Sequence, residues 1–364
     1  MRVLLVTNDF PPRAGGIQTY LWEIYRRLPA QGIEVRVLAP RFDGAEPFDA
    51  ASGLEVVRGS STWWSSRALT ARIRDHARDA DAVALGAVLP MNLAARALDR
   101  PVVVHTYGFE VAWARLPGPR QILRRIAGFA SLVTGISDYA IGAVQRALGD
   151  RALVRKVPTG VDLERFTPDA GGAAFRDRHG VDPRAPVAVF LSRLVRRKGA
   201  DALIDAWRIV RRAVPGATLL VAGDGPDRER LRRTAGEGVI FTGRAGHDEL
   251  PSVYAAGDVF AMPCRSRLAN LEVEGLGIVY LEAQACGRPA IAGDSGGAPE
   301  AVVDGETGLV VPGRNRAALA RALTSLLADP PRARAMGKAG RAFVEAHHDW
   351  NVIARDYAAM LRAM

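Results

Sequence analysis

Cysteine is nearly missing from the chain: Cys264 and Cys286 are the two present, each in apolar company, with no C-x-x-C and no Cys/His cluster. That excludes a disulfide framework and a thiolate metal site, and it fits two buried free thiols in a reducing compartment. No apolar run approaches the roughly 20 residues that a membrane span needs. The opening run Arg2–Thr7 is too short for the apolar core of a signal peptide and leads straight into Asn8-Asp9-Phe10-Pro11-Pro12, so it reads as a first strand. Aromatics are only 7%, the basic residues are almost all arginine, and no helix-turn-helix, zinc-finger or RNP string occurs. The net charge of +10 therefore argues less for nucleic acid than for phosphate ligands or an anionic membrane surface. A merely solvated arginine surface, as a GC-rich genome encodes, is the third option.

What is present is alternation. Short apolar runs at Val3–Thr7, Glu34–Ala39, Glu55–Val57, Ala82–Leu85, Val102–His105, Leu132–Thr134 and Val154–Val157 alternate with helical stretches such as Ile17–Leu28 and Ile122–Ala130. This is the pattern of βαβ units and of a parallel sheet covered on both faces. An equivalent series, Val187–Leu191, Thr218–Ala222, Val239–Phe241, Val259–Met262, Ala290–Ala292 and Leu309–Val311, follows the turn-rich Pro158–Asp162 and Pro168–Gly172. With 364 residues, 48% hydrophobic and 24% charged, the chain is long enough for two domains. The expected fold is α/β, two doubly wound Rossmann-like domains facing a central cleft, with ligands at the carboxyl ends of the strands.

The stretch Asn270–Gly287 reads N-L-E-V-E-G-L-G-I-V-Y-L-E-A-Q-A-C-G. Glu274 and Glu282 have seven residues between them, a spacing of slightly over two helical turns, so both can line one side of a helix entrance. Gly275 and Gly277, with Leu276 between them, let backbone approach a ligand, and the first-turn N–H groups of a helix headed by Ile278 and Val279 form an anion site. One carboxylate can then accept from a sugar and the other from a ribose diol, with phosphate held between. Two glutamates on an ordinary exposed helix are the alternative, and the apolar company of G-L-G-I-V-Y-L-E-A speaks against it.

The pair Glu274–Glu282 resembles the E-x7-E signature of retaining GT-B glycosyltransferases that use a nucleotide-sugar. The longer string V-E-G-L-G-I-V-Y-L-E-A-Q-A-C-G resembles the actinobacterial phosphatidylinositol mannosyltransferases that act on a phosphatidylinositol monomannoside. The resemblance continues through V-T-N-D-F-P-P-R-A-G-G-I-Q-T-Y, S-R-L-V-R-R-K-G, A-G-D-G-P and S-G-G-A-P-E. It implies transfer of α-mannose from GDP-mannose with retention, no metal requirement, and a cytoplasmic protein held peripherally at the inner membrane face. It also implies that the helical pattern Trp350–Met364 crosses back, giving an acceptor-side domain of residues 1–165 plus 348–364 and a nucleotide-sugar domain of 166–347.

Further residues follow from the same resemblance. In Pro11-Pro12-Arg13-Ala14-Gly15-Gly16 a glycine pair opens a helix, physically either a tight βα turn or a phosphate site; Gly16 matches the loop that approaches the donor diphosphate. In Ser192–Gly199, Arg193 and Lys198 match the diphosphate-binding pair, while Arg196 and Arg197 are left to solvent or lipid headgroups. Gly223 belongs to a G-x-G turn on the floor of the cleft, and Arg244, Ala245 and His247 lie where the family holds its base. Close relatives carry a histidine directly before a G-x-E; here that position is Tyr107, with His105 two residues earlier. Residues i and i+2 of an extended chain share a face, so either can meet the sugar, unless His105 is a satisfied strand-end histidine. Relatives also have a glycine run where this chain has Leu268-Ala269-Asn270.

Arg120, Arg124 and Arg125 form a basic side against Ile122, Leu123 and Ile126, and a second basic stretch is Arg67–Arg78. Such a helix suits an anionic bilayer and equally suits packing on a sheet. The one D-x-D, Asp79-Ala80-Asp81, precedes a strand rather than following one, which argues against a metal-dependent alternative fold. The competing readings are a UDP-sugar enzyme for a soluble acceptor and a non-catalytic nucleotide or nucleic-acid binder.

Overall fold

Runs of Val, Leu, Ile and Ala, buried on both faces in the inner strands and half-buried in the edge strands, build two parallel sheets. A computed structural model describes residues 1–13, 15–59, 67–87 and 98–364. Ala14 of the glycine turn and the side chains of Arg67 and Ile126 in the basic stretches lie outside what is described. The chain divides into two compact units, Met1–Thr159 with Trp350–Met364, and Gly160–Asp349.

The first unit holds β1 (Arg2–Val6), β2 (Glu34–Pro40), β3 (Glu55–Gly59), β4 (Ala82–Leu85), β5 (Val102–Thr106), β6 (Leu132–Gly135) and β7 (Leu153–Lys156) in the order β3-β2-β1-β4-β5-β6-β7. Every pair is parallel. Side chains alternate across the sheet: Leu4 and Val6 enter one core with Leu38, Ile73 and Val83, whereas Val3 and Leu5 enter the other with Ile24, Tyr25 and Val37. The second core also takes Trp350, Ile353, Tyr357 and Leu361, the apolar stripe of the last helix, Trp350–Arg362.

The second unit holds β8 (Val187–Leu191), β9 (Thr218–Ala222), β10 (Val239–Gly243), β11 (Val259–Met262), β12 (Ala290–Gly293) and β13 (Gly308–Val311), all parallel, in the order β10-β9-β8-β11-β12-β13. The helix Ala200–Ala213 buries Leu203, Ile204, Trp207 and Val210, spaced as one helical face. Truncating the buried Trp207 to alanine is worth about 3–5 kcal/mol. In each sheet the chain runs outward from an inner strand and then returns to that strand's other side, so β1 lies between β2 and β4, and β8 between β9 and β11. The crevice at such a reversal is where open α/β sheets bind ligands.

Every expected strand is found, with ends within two residues. The helix expected from Ile122 begins instead at Pro117 and runs to Ala127, because proline in a first turn lacks only an N–H that would be unpaired anyway. The expected basic side of that helix is also corrected. Leu123 is fully buried, Arg124 Nε donates to Ala147 O at 2.6 Å, and Ile122 is 46% exposed. Arg124 thus fastens the helix to its neighbour Asp138–Leu148, and Ile122 and Arg125 face outward.

Candidate active site

In the second unit, three loops meet at the carboxyl ends of β8, β11 and β12. After β8, residues 192–199 end in a tight turn at Arg196–Lys198 and a left-handed Gly199, φ 80°. A Cβ at Gly199 would lie 2.1 Å from Pro263 O, so the loops after β8 and β11 meet backbone to backbone. That approach puts Lys198 Nζ 2.8 Å and Arg197 Nη1 2.5 Å from Glu274 Oε2. The loop after β12 closes the other side: Glu274 N donates to Ser295 Oγ at 3.1 Å, and Gly297 N donates to Glu274 O at 2.9 Å. Gly296 has to be glycine here, since its Cβ would stand 2.1 Å from Glu274 O at φ 58°. Glu274 is only 8% exposed. Burial works against its charge, but Lys198 and then Arg197 outweigh burial and hold the carboxyl below the usual range.

Glu274 is not on a helix. The helix runs Ile278–Ala285 and opens on Gly277 at φ 90°, which has no side chain to cap the first-turn N–H groups. The path from Glu274 through Gly275, Leu276 and Gly277 to Ile278 and Val279 is therefore a loop that delivers backbone to a helix head. Glu282 lies further along this helix and accepts from Tyr254 Oη at 2.5 Å. Burial pushes its carboxyl up to about 6, against the pull of Tyr254 and of the Arg165 charge. Arg165 Nη1 lies 2.5 Å from His247 Nε2 and its other amino group donates to His247 O, holding the turn after β10. Arg193 and Arg244 are exposed at the same end of the sheet, with Ala245 half-buried beside Arg244. Gly223, at φ 127°, places the loop after β9 against Ser192 O.

In the first unit, Gly16 heads the helix Gly16–Tyr25, and among the described residues a Cβ there would meet nothing within 4 Å. The end of β5 departs from expectation. His105 is 0% exposed and points into the core, with Nε2 2.8 Å from Tyr25 Oη and Nδ1 2.7 Å from Thr134 Oγ1. Burial pushes its pKa down to about 3. Both ring nitrogens are taken, so His105 is a satisfied core histidine and not a sugar contact. β5 ends at Thr106, and Tyr107 turns away from it: its ring packs against Tyr20 at 5.5 Å and its hydroxyl donates to Gly86 O at 2.8 Å. Glu110 organises this turn by accepting from the N–H groups of Tyr107 at 3.0 Å and Gly108 at 3.1 Å.

Asp79 and Asp81 sit at the amino ends of the strands and are taken up by arginine: Arg2 and Arg36 donate to Asp79, and Arg2 N donates to Asp81. Among the described residues no group of three or more His, Cys, Asp or Glu could hold a metal ion.

Two family descriptions match the chain, Glycosyltransferase Family 4 over residues 14–165 and Glycosyl transferases group 1 over residues 173–343. The chain is 46% identical over 377 residues to the GDP-mannose-dependent alpha-(1-6)-phosphatidylinositol monomannoside mannosyltransferase of Mycolicibacterium smegmatis, across 99% of this chain and 98% of that one. It is 42% identical to a GDP-mannose-dependent monoacylated alpha-(1-6)-phosphatidylinositol monomannoside mannosyltransferase of Corynebacterium glutamicum, across 100% and 98%. The chain belongs to the GT-B glycosyltransferases. Solved structures of like fold include Anabaena HepE in complex with UDP, TM-score 0.84 at 22% identity with both chains fully covered. Sucrose-phosphate synthase from Thermosynechococcus elongatus gives 0.81 at 23%, covering 100% of this chain and 98% of that one. At those identities the likeness speaks to the fold alone.

Membership in this enzyme family removes the non-catalytic binder. Within this glycosyltransferase the structure brings Lys198 and Glu274 into contact and puts Glu282 on the helix that follows, while Gly16, His105 and Tyr107 belong to the other unit. Arg197, assigned to solvent or headgroups by its sequence context, is instead an ion-pair partner of Glu274. Tyr254 and Arg165 were not singled out either, because nothing local marks a tyrosine 28 positions before Glu282 as its hydrogen-bond donor.

Proposed function

We propose that this glycosyltransferase moves α-mannose, with retention of configuration, from GDP-mannose to a phosphatidylinositol monomannoside at the inner membrane face and without a metal ion. The observation that carries the proposal is 46% identity over 99% of the chain to enzymes named for that donor and acceptor. The first unit takes the acceptor and the second the donor. Arg193 and Lys198 hold the diphosphate together with the helix head at Ile278 and Val279, and Gly275, Leu276 and Gly277 let backbone approach it; Gly16 leaves room beside it, and Gly223 lets the loop after β9 close on Ser192. Glu274 accepts from the transferred hexose, Glu282 from the ribose, and Arg244, Ala245 and His247 receive the base. Tyr107, half-buried where His105 is enclosed, meets the hexose, its hydroxyl accepting while it donates to Gly86 O. Catalysis then rests on stabilising charge on the departing diphosphate, with attack on the same face.

The test is direct. The purified protein is expected to transfer mannose from GDP-mannose to phosphatidylinositol monomannoside in EDTA, to give the α-anomer by NMR, and to be stabilised against heat by GDP more than by UDP. Preference for UDP would overturn the donor assignment, and inactivation by EDTA with rescue by a divalent cation would overturn the metal-free one.

A further inference from the structure

We infer that Arg197 is a positioning residue that keeps Glu274 aimed and ionised while Lys198 serves the donor diphosphate. The inference rests on the donor-site reading above. Both cations converge on one oxygen, Glu274 Oε2, at 2.5 Å for Arg197 and 2.8 Å for Lys198. A lysine ammonium is a mobile point charge, so a diphosphate arriving beside it draws Nζ away from the carboxylate. Glu274 would then be a buried carboxylate short of one cation, and burial is the largest influence on it, favouring proton uptake.

Arg197 reaches Glu274 from a fixed stretch of backbone, although its side chain is the more exposed of the two, 34% against 11% for Lys198. The Arg197 carbonyl accepts from Arg265 N at 2.9 Å, which ties the loop after β8 to the loop after β11. Two titratable neighbours of Glu274 stay neutral, while the Glu272–Arg267 ion pair lies two residues before it. Burial pushes the Cys264 thiol up to about 11 and the Tyr280 hydroxyl upward as well, and Tyr280 Oη donates to Met262 O at 2.6 Å. Ser295, from the loop after β12, contributes a neutral bond to the Glu274 backbone. With Lys198 engaged elsewhere, Arg197 is, among the described residues, the remaining ion-pair partner of Glu274 and holds the carboxylate in the form that accepts strongly from sugar hydroxyls.

The experiment is the pH profile of kcat for Arg197→Gln and Arg197→Lys, with the affinity for free GDP measured alongside. An ionised Glu274 is the active form, so the rate falls as pH drops below its pKa. Arg197→Gln is expected to move that acid limb upward by about one unit, a tenfold loss at low pH, with the GDP affinity little changed. Arg197→Lys keeps the charge and is expected to restore the limb. An unmoved limb in Arg197→Gln beside an inactive Glu274→Ala overturns this inference and leaves the donor-site reading in place. A fully active Glu274→Ala overturns the donor-site reading itself. Loss of GDP affinity matching the loss of kcat in Arg197→Gln overturns the inference too, making Arg197 a phosphate ligand.

Discussion

Glu282 is half-buried and His105 fully buried; both titrate, and pH distinguishes what each does. If Glu282 accepts from the donor ribose as proposed, its carboxyl, pushed up to about 6 by burial, accepts more strongly when ionised. Affinity for free GDP is therefore expected to fall as pH drops through about 6, by as much as tenfold per unit, and calorimetry across that range checks it. Glu282→Gln should bind about 1.5–3 kcal/mol more weakly and show no such slope; a slope kept in that variant would assign it to another group. His105 works for the fold. Its folded pKa of about 3 lies below the unfolded value, so the stability it contributes is complete above about 6.5 and is lost as pH falls toward 3. His105→Ala takes one partner from Tyr25, which keeps Tyr357, and one from Thr134, and opens a cavity, so chemical denaturation should show a loss of about 2–4 kcal/mol. Where the variant is still folded, kcat should stay near wild type; abolished turnover in a fully folded variant would return His105 to the active site.

At the scale of elements, the strands were readable because fully buried parallel strands are unbroken apolar runs bounded by turns. Helix ends were less so, as Pro117 shows. In the hairpin before Glu274, closed by the bridge between Arg267 and Glu272, Leu268-Ala269-Asn270 take φ values of 49°, 51° and 67°. A glycine run suits that backbone, and of these three residues asparagine tolerates it best. Arg197 was unreadable because its partner is 77 positions away, and only the packing of two loops brings them together. The helix Pro117–Ala127 carries a prediction of its own. Its outward face offers Ile122, 46% exposed, with Arg125 three residues on. If this face meets an anionic bilayer, Arg125→Gln should weaken sedimentation with phosphatidylinositol vesicles by about 1 kcal/mol, and high salt should do the same. Ile122→Ser should weaken it further without changing the salt response. Unaltered sedimentation of the double variant would take this helix out of the membrane contact.

For the molecule as a whole, the chain ends in the unit where it began. Trp350, Ile353, Tyr357 and Leu361 lie in the same core as Val3 and Leu5; Tyr357 Oη meets Tyr25 Oη at 2.8 Å, and Trp350 packs against Tyr20. Four such side chains are worth about 6–12 kcal/mol at about 1.5–3 each, comparable to the whole stability of a domain, about 5–15 kcal/mol. A chain stopped after Asp349 should therefore lose the first unit. The second keeps its six strands and the bridge between Val161 and Asp349 that joins its two ends. Since Glu274, Lys198, Glu282 and Arg197 all belong to that unit, the shortened protein should still be stabilised by GDP in a thermal-shift assay. Mannosyl transfer should vanish, and limited proteolysis should digest residues from the first unit while sparing the second. Transfer that survived the deletion would show the last helix to be dispensable for the first unit. Loss of GDP binding along with transfer would show that the donor site needs residues of the first unit, with Gly16 the first to substitute.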